Sequence, residues 1–336
     1  EVPRVEVASL LDSFANALPP ALQEAEASGS MAIRSNIKTR GNLGRMTGEI
    51  DLEVGQVEIP SQKLTVTGIK GEVPFDMELS AKAAQQWDKG GLKRDNYQKM
   101  LTLLQAGSKE GHNFIIERII FGTTEFADTR LLIVAANGVT EIRSLGSRFF
   151  RGEILGRGSF SLAGGGRYGG DILVHDLSLR DLCDAYPSIK GYLSGRVDGF
   201  ASLYGEGKTL GALKGFMEFW SRSDVGEKML ISKEFLQKLS GKKLKGMFFT
   251  NDRPYDRGEI SAYLESGYLT FQTLDISHTN LFGIRDLSVT VAPVQNKISL
   301  DHLLASIREA ASRGKAATGG GGSEQSPPAT EFKWEQ

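Results

Sequence analysis

The chain has 336 residues, 40% hydrophobic and 24% charged, with 40 basic against 41 acidic side chains and a formal net charge of −1. Such a length and balance fit a folded protein with one large core or two domains, and the lack of a basic excess excludes an ordinary nucleic-acid binder. The single cysteine, Cys183, excludes an intramolecular disulfide and a thiolate metal cage.

The chain opens at Glu1-Val2-Pro3 with no signal peptide, as if continuing from a longer sequence, so an anchor or leader upstream is expected. Leu10, Leu11, Phe14 and Leu18 share one helical face, and Pro19-Pro20 stops the pattern, which predicts a helix over 8–18. From Met31 the period changes to two. Ile33 leads a short strand. Ile50, Leu52 and Val54 alternate with Asp51 and Glu53, Gly55 reads as a turn, and Val57 and Ile59 follow. Leu64 and Val66 form the next strand before Gly68, and Val73, Phe75, Met77 and Leu79 alternate over four positions. Alternation of this kind means one wet face and one apolar face.

Residues 80–110 read as a helical insertion with a Gly90-Gly91 break; Trp87, Tyr97, Met100, Leu101 and Leu104 mark its apolar positions, and a helix is expected over 92–105. Strand signals then resume at 114–121, 129–136, 138–144, 148–155, 158–163 and 168–177, followed by a short helix over 179–185 in which Cys183, near Leu182 and Tyr186, is a small buried hydrophobe. A strand pair bent by Gly195 and Gly199 covers 192–204. Ser232 caps a helix over 232–240, strands follow at 258–264, 268–276 and 284–291, and a last helix is expected over 300–311. The tail from Lys315, with Gly319 to Gly322 and Pro327-Pro328, lacks the apolar content to fold and is expected to be disordered. Glycine, at 40 residues, exceeds the ordinary share of about 7% and is spread along the chain, which indicates many turns and bulges. No strict repeat of 20–50 residues is present. The expected fold is mainly β: an elongated, twisted antiparallel sheet with a few short amphipathic helices. Three regions are expected: 1–110 (helix, strands and helical insertion), 111–312 (a β region) and 313–336 (tail).

The motifs that would carry chemistry are incomplete. Gly205-Glu206-Gly207-Lys208-Thr209 ends like a phosphate-binding loop, but Ser202 stands where the leading glycine is required and no helix-forming run follows. Gly164-Gly165-Gly166 and Gly169-Gly170 bracket Arg167-Tyr168 ahead of a strand, which reads as a hairpin loop. His112, His175, His278 and His302 include no pair at helical metal-ligand spacing. Asp252, Asp256 and Glu259, with Arg253 and Arg257 between them, read as a solvated charged loop, since calcium-loop spacing is absent. The longest apolar stretch, Leu131 to Val139, is interrupted by Asn137 and Gly138 and falls short of the ~20 residues of a membrane span. No enzyme activity, cofactor or metal is expected.

Val174-His175-Asp176-Leu177-Ser178-Leu179-Arg180-Asp181-Leu182 leads into Gly191-Tyr192-Leu193-Ser194-Gly195-Arg196-Val197-Asp198-Gly199. Later come Gly215-Phe216-Met217-Glu218-Phe219, Ile231-Ser232-Lys233-Glu234-Phe235-Leu236 and Gly267 to Ile276, ahead of Asn280 and Gly283. In this order the segments resemble the C-terminal region of AsmA-like bacterial envelope proteins, in particular the YdbH-like branch, over about residues 115–310. Val66-Thr67-Gly68-Ile69-Lys70-Gly71-Glu72-Val73 is similar to a strand–glycine–strand step of the same group.

The resemblance implies a half-open β groove in the periplasm of a two-membrane bacterium, whose apolar inner face carries phospholipid acyl chains between inner and outer membranes. It also implies an inner-membrane anchor on a segment outside this chain. The groove face is expected to comprise Leu64, Val66, Phe75, Met77, Leu79, Phe160, Leu162, Ile172, Val174, Leu269 and Phe271. Phospholipid is the expected ligand and an envelope protein the expected kind of protein partner, while nucleic acid is not expected. Two other readings use the same residues: a scaffolding β protein in which the apolar face is plain core, and an enzyme with carboxylates converging in a polar cleft.

Overall fold

The computed structural model describes residues 2–14, 24–40, 43–78, 92–136, 138–161, 166–207, 209–224, 226–240, 252–290, 296–303 and 305. The strands are β1 (Val2–Glu6), β2 (Glu26–Arg40), β3 (Leu43–Ile59), β4 (Leu64–Glu78), β5 (Phe114–Phe121), β6 (Thr124–Ala136), β7 (Val139–Phe149), β8 (Gly152–Ser161), β9 (Arg167–Ser178), β10 (Leu193–Ser194), β11 (Arg196–Glu206), β12 (Lys214–Arg222), β13 (Leu230–Ile231), β14 (Arg253–Pro254), β15 (Arg257–Glu265), β16 (Tyr268–Thr279), β17 (Arg285–Thr290) and β18 (Lys297–Ser299). The helices are α1 (Val7–Phe14), α2 (Tyr97–Glu110), α3 (Leu179–Ala185) and α4 (Lys233–Ser240), and residues 300–303 are also helical. The fold is mainly β, as the alternation predicts.

Two units are present: residues 1–175 with 200–208, and residues 176–199 with 209–336. The expected boundary at 110/111 is spanned by ladder pairing, since β4 pairs β5 from Leu64↔Phe121 to Gly71↔Phe114.

In the first unit β1 to β9 lie side by side in chain order, with the Phe200–Glu206 part of β11 beside β9. Pairings are antiparallel apart from a short parallel contact of β4 with β6 at Phe75↔Ala135 and Asp76↔Ala136. The strand order does not close on itself. β2, β3 and β4 are 15, 17 and 15 residues long, where glycine signals predict shorter strands broken at Gly55 and Gly68. The ladder spans both glycines: Val54↔Ile69 and Gln56↔Thr67 bracket them on the two strands. A glycine flanked by paired strands on both sides bends a strand without ending it.

The β7–β8 hairpin corrects another expectation. The sequence predicts a strand over 148–155, but the chain reverses there, with Phe150 and Arg151 in the left-handed region at φ 42° and 58°. Two positive-φ central residues make a turn that matches strand twist, and glycine or asparagine usually fill it. Here aromatic packing supports it: the Phe149 ring lies 4.4 Å from Phe150 and stacks at 4.4 Å on Phe126.

α2 starts about one turn later than predicted. Lys93 N donates to Asn96 Oδ1 at 2.8 Å, closing a 3-10 turn over Arg94–Asn96 before the helix begins. The helix buries Tyr97, Leu101 and Leu104 on the sheet, and Tyr97 Oη donates to the Val174 carbonyl at 2.7 Å. Close approach depends on small residues: a Cβ on Gly146 would sit 2.7 Å from Ser108 Cβ, and one on Gly107 would sit 3.2 Å from Ser144 Cβ.

In the second unit β12, β15, β16 and β17 are neighbours in that order, with β18 on β16. In a small sheet of β10, β13 and β14, β13 carries Ile231 into a core with Met229, which precedes that strand, Leu236 of α4, Tyr255, Ile276 and Leu287. The expected charged loop at 252–259 is therefore structured. It contains β14 and the start of β15, and its middle residue, Tyr255, is 5% exposed. The helices expected over 179–185 and 232–240 are α3 and α4. Ser178 Oγ accepts from Asp181 N at 3.2 Å and Ser232 Oγ from Phe235 N at 3.1 Å. The expected Gly90-Gly91 break, the later part of the helix over 300–311 and the tail lie outside the described residues. So does the part of the 8–18 prediction beyond Phe14.

Gly146→Val puts a branched side chain where α2 meets the sheet. Overpacking of this kind costs about 1–3 kcal/mol, and urea unfolding of the variant should show a loss of that size.

Candidate functional site

Alternate residues of a strand point to opposite faces, and residues directly opposite on neighbouring strands share a face. Counting along the ladder from Val5 therefore gives one row across nine strands: Val5, Met31, Leu52, Gly71, Phe114, Leu131, Leu145, Gly156 and Ile172. Every member is apolar or glycine. Gly71 is required at its place, since a Cβ there would lie 2.6 Å from the Phe114 ring. The neighbouring row on the other face reads Glu6, Ser30, Glu53, Lys70, Ile115, Arg130, Gly146, Leu155 and Leu173. It is mostly polar until Gly146, where α2 covers it; there Leu155 and Leu173 are 2% and 0% exposed.

A line of extra residues keeps the apolar face in phase. β3 has Gly55 in excess over β2, since Ser28↔Gln56 is followed by Gly29↔Val54. Gly55 faces Gly68 (φ +67°), then Glu117, and then Asp128 (φ +49°), which β7 does not match. β2 has no extra residue at this point, although Gly29 takes φ +114°, and beyond it Ala27 pairs with Val57. Val57 leads through Val66 to Ile119 and Phe126, whose ring stacks on Phe149. A second extra residue, Arg143, separates Ile142 from Ser144 and returns Ile142 to the face of Leu145.

The sequence-predicted residues are distributed as follows. Leu64 stands opposite Ile59 and Phe121, and Val66 opposite Val57 and Ile119. Phe75, Ala135, Thr140, Phe160 and Tyr168 form one further row, and Val174 faces Ile154. Leu64, Val66, Phe75, Phe160, Ile172 and Val174 thus share the apolar face of the first unit. Phe160 and Ile172 are 44% and 40% exposed on it. Met77 stands opposite Met46 in register; Leu79 and Leu162 lie outside the described residues. Leu269 and Phe271 belong to the second unit, where Leu269 is 5% exposed between Leu264 and Ile298, and Phe271 is half-buried opposite Ala262. Sequence reasoning missed Met31, Phe114, Leu131 and Leu145 as members of the face. Their strands are legible in the sequence but their register is not.

The polar groups in both units brace the fold. In the first, Arg157 donates to the buried Asp171 at 2.8 and 2.9 Å, and Ser202 donates to the same carboxylate. In the second, Asp176 has φ +53° and its N–H donates to Asp198 at 2.8 Å. Arg196 donates to the Asp176 carbonyl at 2.7 Å and pairs with Glu227 at 2.8 Å. Arg222 bonds Asp224 at 2.8 Å, which with the nearby Asp198 and Asp176 raises its pKa above the usual guanidinium value. These carboxylates are matched by guanidinium groups. A hollow of about 660 Å³ on the polar face of the first unit is lined by Glu49, Asp51, Glu53, Glu72 and Lys70. Among the described residues no three His, Cys, Asp or Glu side chains are placed to hold a metal ion, and no helix is long and apolar enough to cross a membrane.

Burial pushes up the Cys183 thiol and the Tyr255 phenol, whose hydroxyl donates to the Ser194 carbonyl at 2.8 Å. The chain matches no family model, no curated protein and no solved structure.

Tyr255 gives the second unit a pH dependence of definite sign. Below its ordinary pKa of 10.0 the phenol is neutral in both states; above it the unfolded chain ionises first, so stability falls as pH rises. Tyr255→Phe should flatten that fall above pH 10 while costing about 1–3 kcal/mol at neutral pH for the unpaired Ser194 carbonyl, as read from denaturant melts across pH.

Proposed function

We propose that this chain is the lipid-holding β section of a bacterial envelope protein, in which phospholipid acyl chains lie along the apolar face of the first unit. The observation that carries the reading is the nine-strand apolar row from Val5 to Ile172, together with the exposure of Phe160 and Ile172 on the same face. Singly exposed apolar side chains are ordinary on any surface; what supports the reading is that these two lie on a face whose central row is apolar across nine strands. The sequence resemblance to AsmA-like proteins supports the same class of ligand, a periplasmic location and an inner-membrane anchor on a segment outside this chain.

The chemistry required is small. Each acyl CH₂ moved from water onto an apolar surface is worth about 0.8 kcal/mol. The attraction has no direction along the strand rows, so a chain can shift from one row to the next without breaking a specific bond. Polar headgroups would remain at the rim. No nucleophile, general base or metal enters this mechanism.

A scaffolding role is the second reading, and the second unit favours it locally. There the comparable apolar side chains are enclosed: Ala262 is 0%, Leu264 3% and Leu269 5% exposed. Leu269 and Phe271 therefore serve as core in either reading, and the lipid-holding residues proposed here are those of the first unit.

Adjacent residues of β9 separate the readings. Ile172→Asp places a carboxylate on the half-exposed apolar face, where it keeps water; the variant should fold with a melting temperature close to the parent's and lose co-purifying phospholipid in native mass spectrometry. Leu173→Asp buries an unpaired charge beneath α2 at a cost of several kcal/mol and should not fold. Unfolding of Ile172→Asp would make the face closed core and favour the scaffold, whereas a folded variant with its lipid intact would move the lipid to another face.

A further inference from the structure

The turn between β16 and β17 carries Leu281, Phe282 and Ile284 at 102%, 87% and 61% exposure, the largest cluster of such exposure among the described hydrophobic side chains. Exposed apolar residues scattered singly are ordinary, but three together on a turn are not. We infer that this hairpin tip inserts into the surface of a lipid bilayer and holds the second unit against it.

The backbone of the tip is already closed on itself. Asn280 Oδ1 accepts from the N–H groups of both Phe282 and Ile284 at 3.0 Å, Gly283 N donates to the Asn280 carbonyl at 2.9 Å, and Asn280 N donates to the Ile284 carbonyl at 2.9 Å. Gly283 takes φ +74°, which makes the reversal tight. Backbone N–H groups that enter hydrocarbon must find partners within the protein, and those of 282, 283 and 284 have them before any contact is made. Order in the tip also means that little conformational entropy is lost on insertion.

Charges at the base of the tip set its depth. Asp286 accepts from Arg253 at 3.0 Å and contacts His278 Nδ1 at 2.6 Å, and Arg285 reaches Asp275 at 3.5 Å. These groups are charged and mutually paired at the base of the turn, so they would remain at headgroup level while the three apolar side chains pass beyond it. Because the pairs balance, attraction to anionic lipid is not the driving force, and binding should depend little on salt. A protein partner fits the tip less well: a specific protein interface covers about 800 Å² per side with some 20–30 residues, whereas this surface is three side chains on a convex turn. A bilayer needs no complementary shape.

The inference stands apart from lipid holding by the first unit, since a tip can insert whether or not the sheet face carries acyl chains. The test uses the full chain and phosphatidylcholine vesicles. Phe282→Trp adds a reporter, read as the difference from the parent's emission. Its fluorescence should shift to the blue on vesicle addition and be quenched by brominated lipid at shallow depth, equally in low and high salt. Leu281→Ser, Phe282→Ser and Ile284→Ser combined should weaken vesicle flotation by roughly tenfold or more and leave the melting temperature and circular dichroism unchanged. Reporter emission that stays solvent-like with vesicles overturns the inference. So does self-association of the parent in sedimentation that the triple serine variant abolishes, which would make the tip a contact between copies of this chain. Vesicle binding by the Ile172→Asp variant separates the two readings: it should be retained even where co-purifying lipid is lost.

Discussion

The organisation of the first unit depends on strand register. Side chains alternate with a period of two, so a slip of one residue in any strand would exchange its apolar and polar sets between faces. Nine strands hold Val5 through Ile172 in one row, and the neighbouring row begins Glu6, Ser30, Glu53 and Lys70. One face is apolar along this row, and the other is mostly polar up to the part that α2 covers, because these registers agree. Ion pairs on the polar face, such as Arg4 with Asp51 at 3.2 Å and Arg118 with Glu125 at 3.0 Å, are exposed and contribute little each. Their role is to be polar on the correct side.

The sheet keeps that agreement through places where simple alternation fails. The extra residues Gly55, Gly68, Glu117 and Asp128 form a line across β3 to β6, and apolar positions change parity across it on all four strands. Val54 and Val57 could not otherwise share a face, because an odd number of steps separates them. Two of the four residues adopt positive φ, one of them a glycine and one an aspartate that pairs with Arg148.

This explains what is legible in the sequence. Alternation in 50–54 and 73–77 and the capped helices α3 and α4 are local patterns, and the residues that make them lie close together in the chain. The glycines at 55 and 68 read as turns because a turn and a bulge ask for the same residue. Only pairing partners distinguish them, and these are set by strands distant in the chain. The turn at Phe150-Arg151 carries no glycine or asparagine, and its support is an aromatic stack with Phe126, also distant in sequence. Likewise the candidate residues follow from each strand taken by itself. Grouping Leu64 and Val66 with Phe75 assumes a common face, although strict alternation from Phe75 to Val66 gives the opposite result. Gly68 is the reason the grouping holds within this sheet. Leu269 cannot be separated from that group by sequence, because its alternation is the same and only the enclosure by neighbouring strands differs.

Enclosure, then, varies along the same pattern: on the apolar face of the first unit Val54, Ile59 and Leu131 are 5%, 5% and 8% exposed, whereas Phe160 and Ile172 are 44% and 40%. In the second unit the small sheet and α4 bring Met229, Ile231, Leu236 and Tyr255 over Ile276 and Leu287, so an amphipathic sheet becomes an ordinary core. In the first unit α2 covers the face that holds Leu155 and Leu173, and Phe160 and Ile172 on the reverse remain accessible. Exposure of large apolar side chains on a sheet is a liability for aggregation. Under the proposed function a ligand of matching chemistry covers that surface, and an acyl chain would suit one that offers no hydrogen-bonding side chain along its central row. The physical question for the first unit is therefore one of coverage, and it is decided at Ile172 and Phe160 rather than at any polar residue.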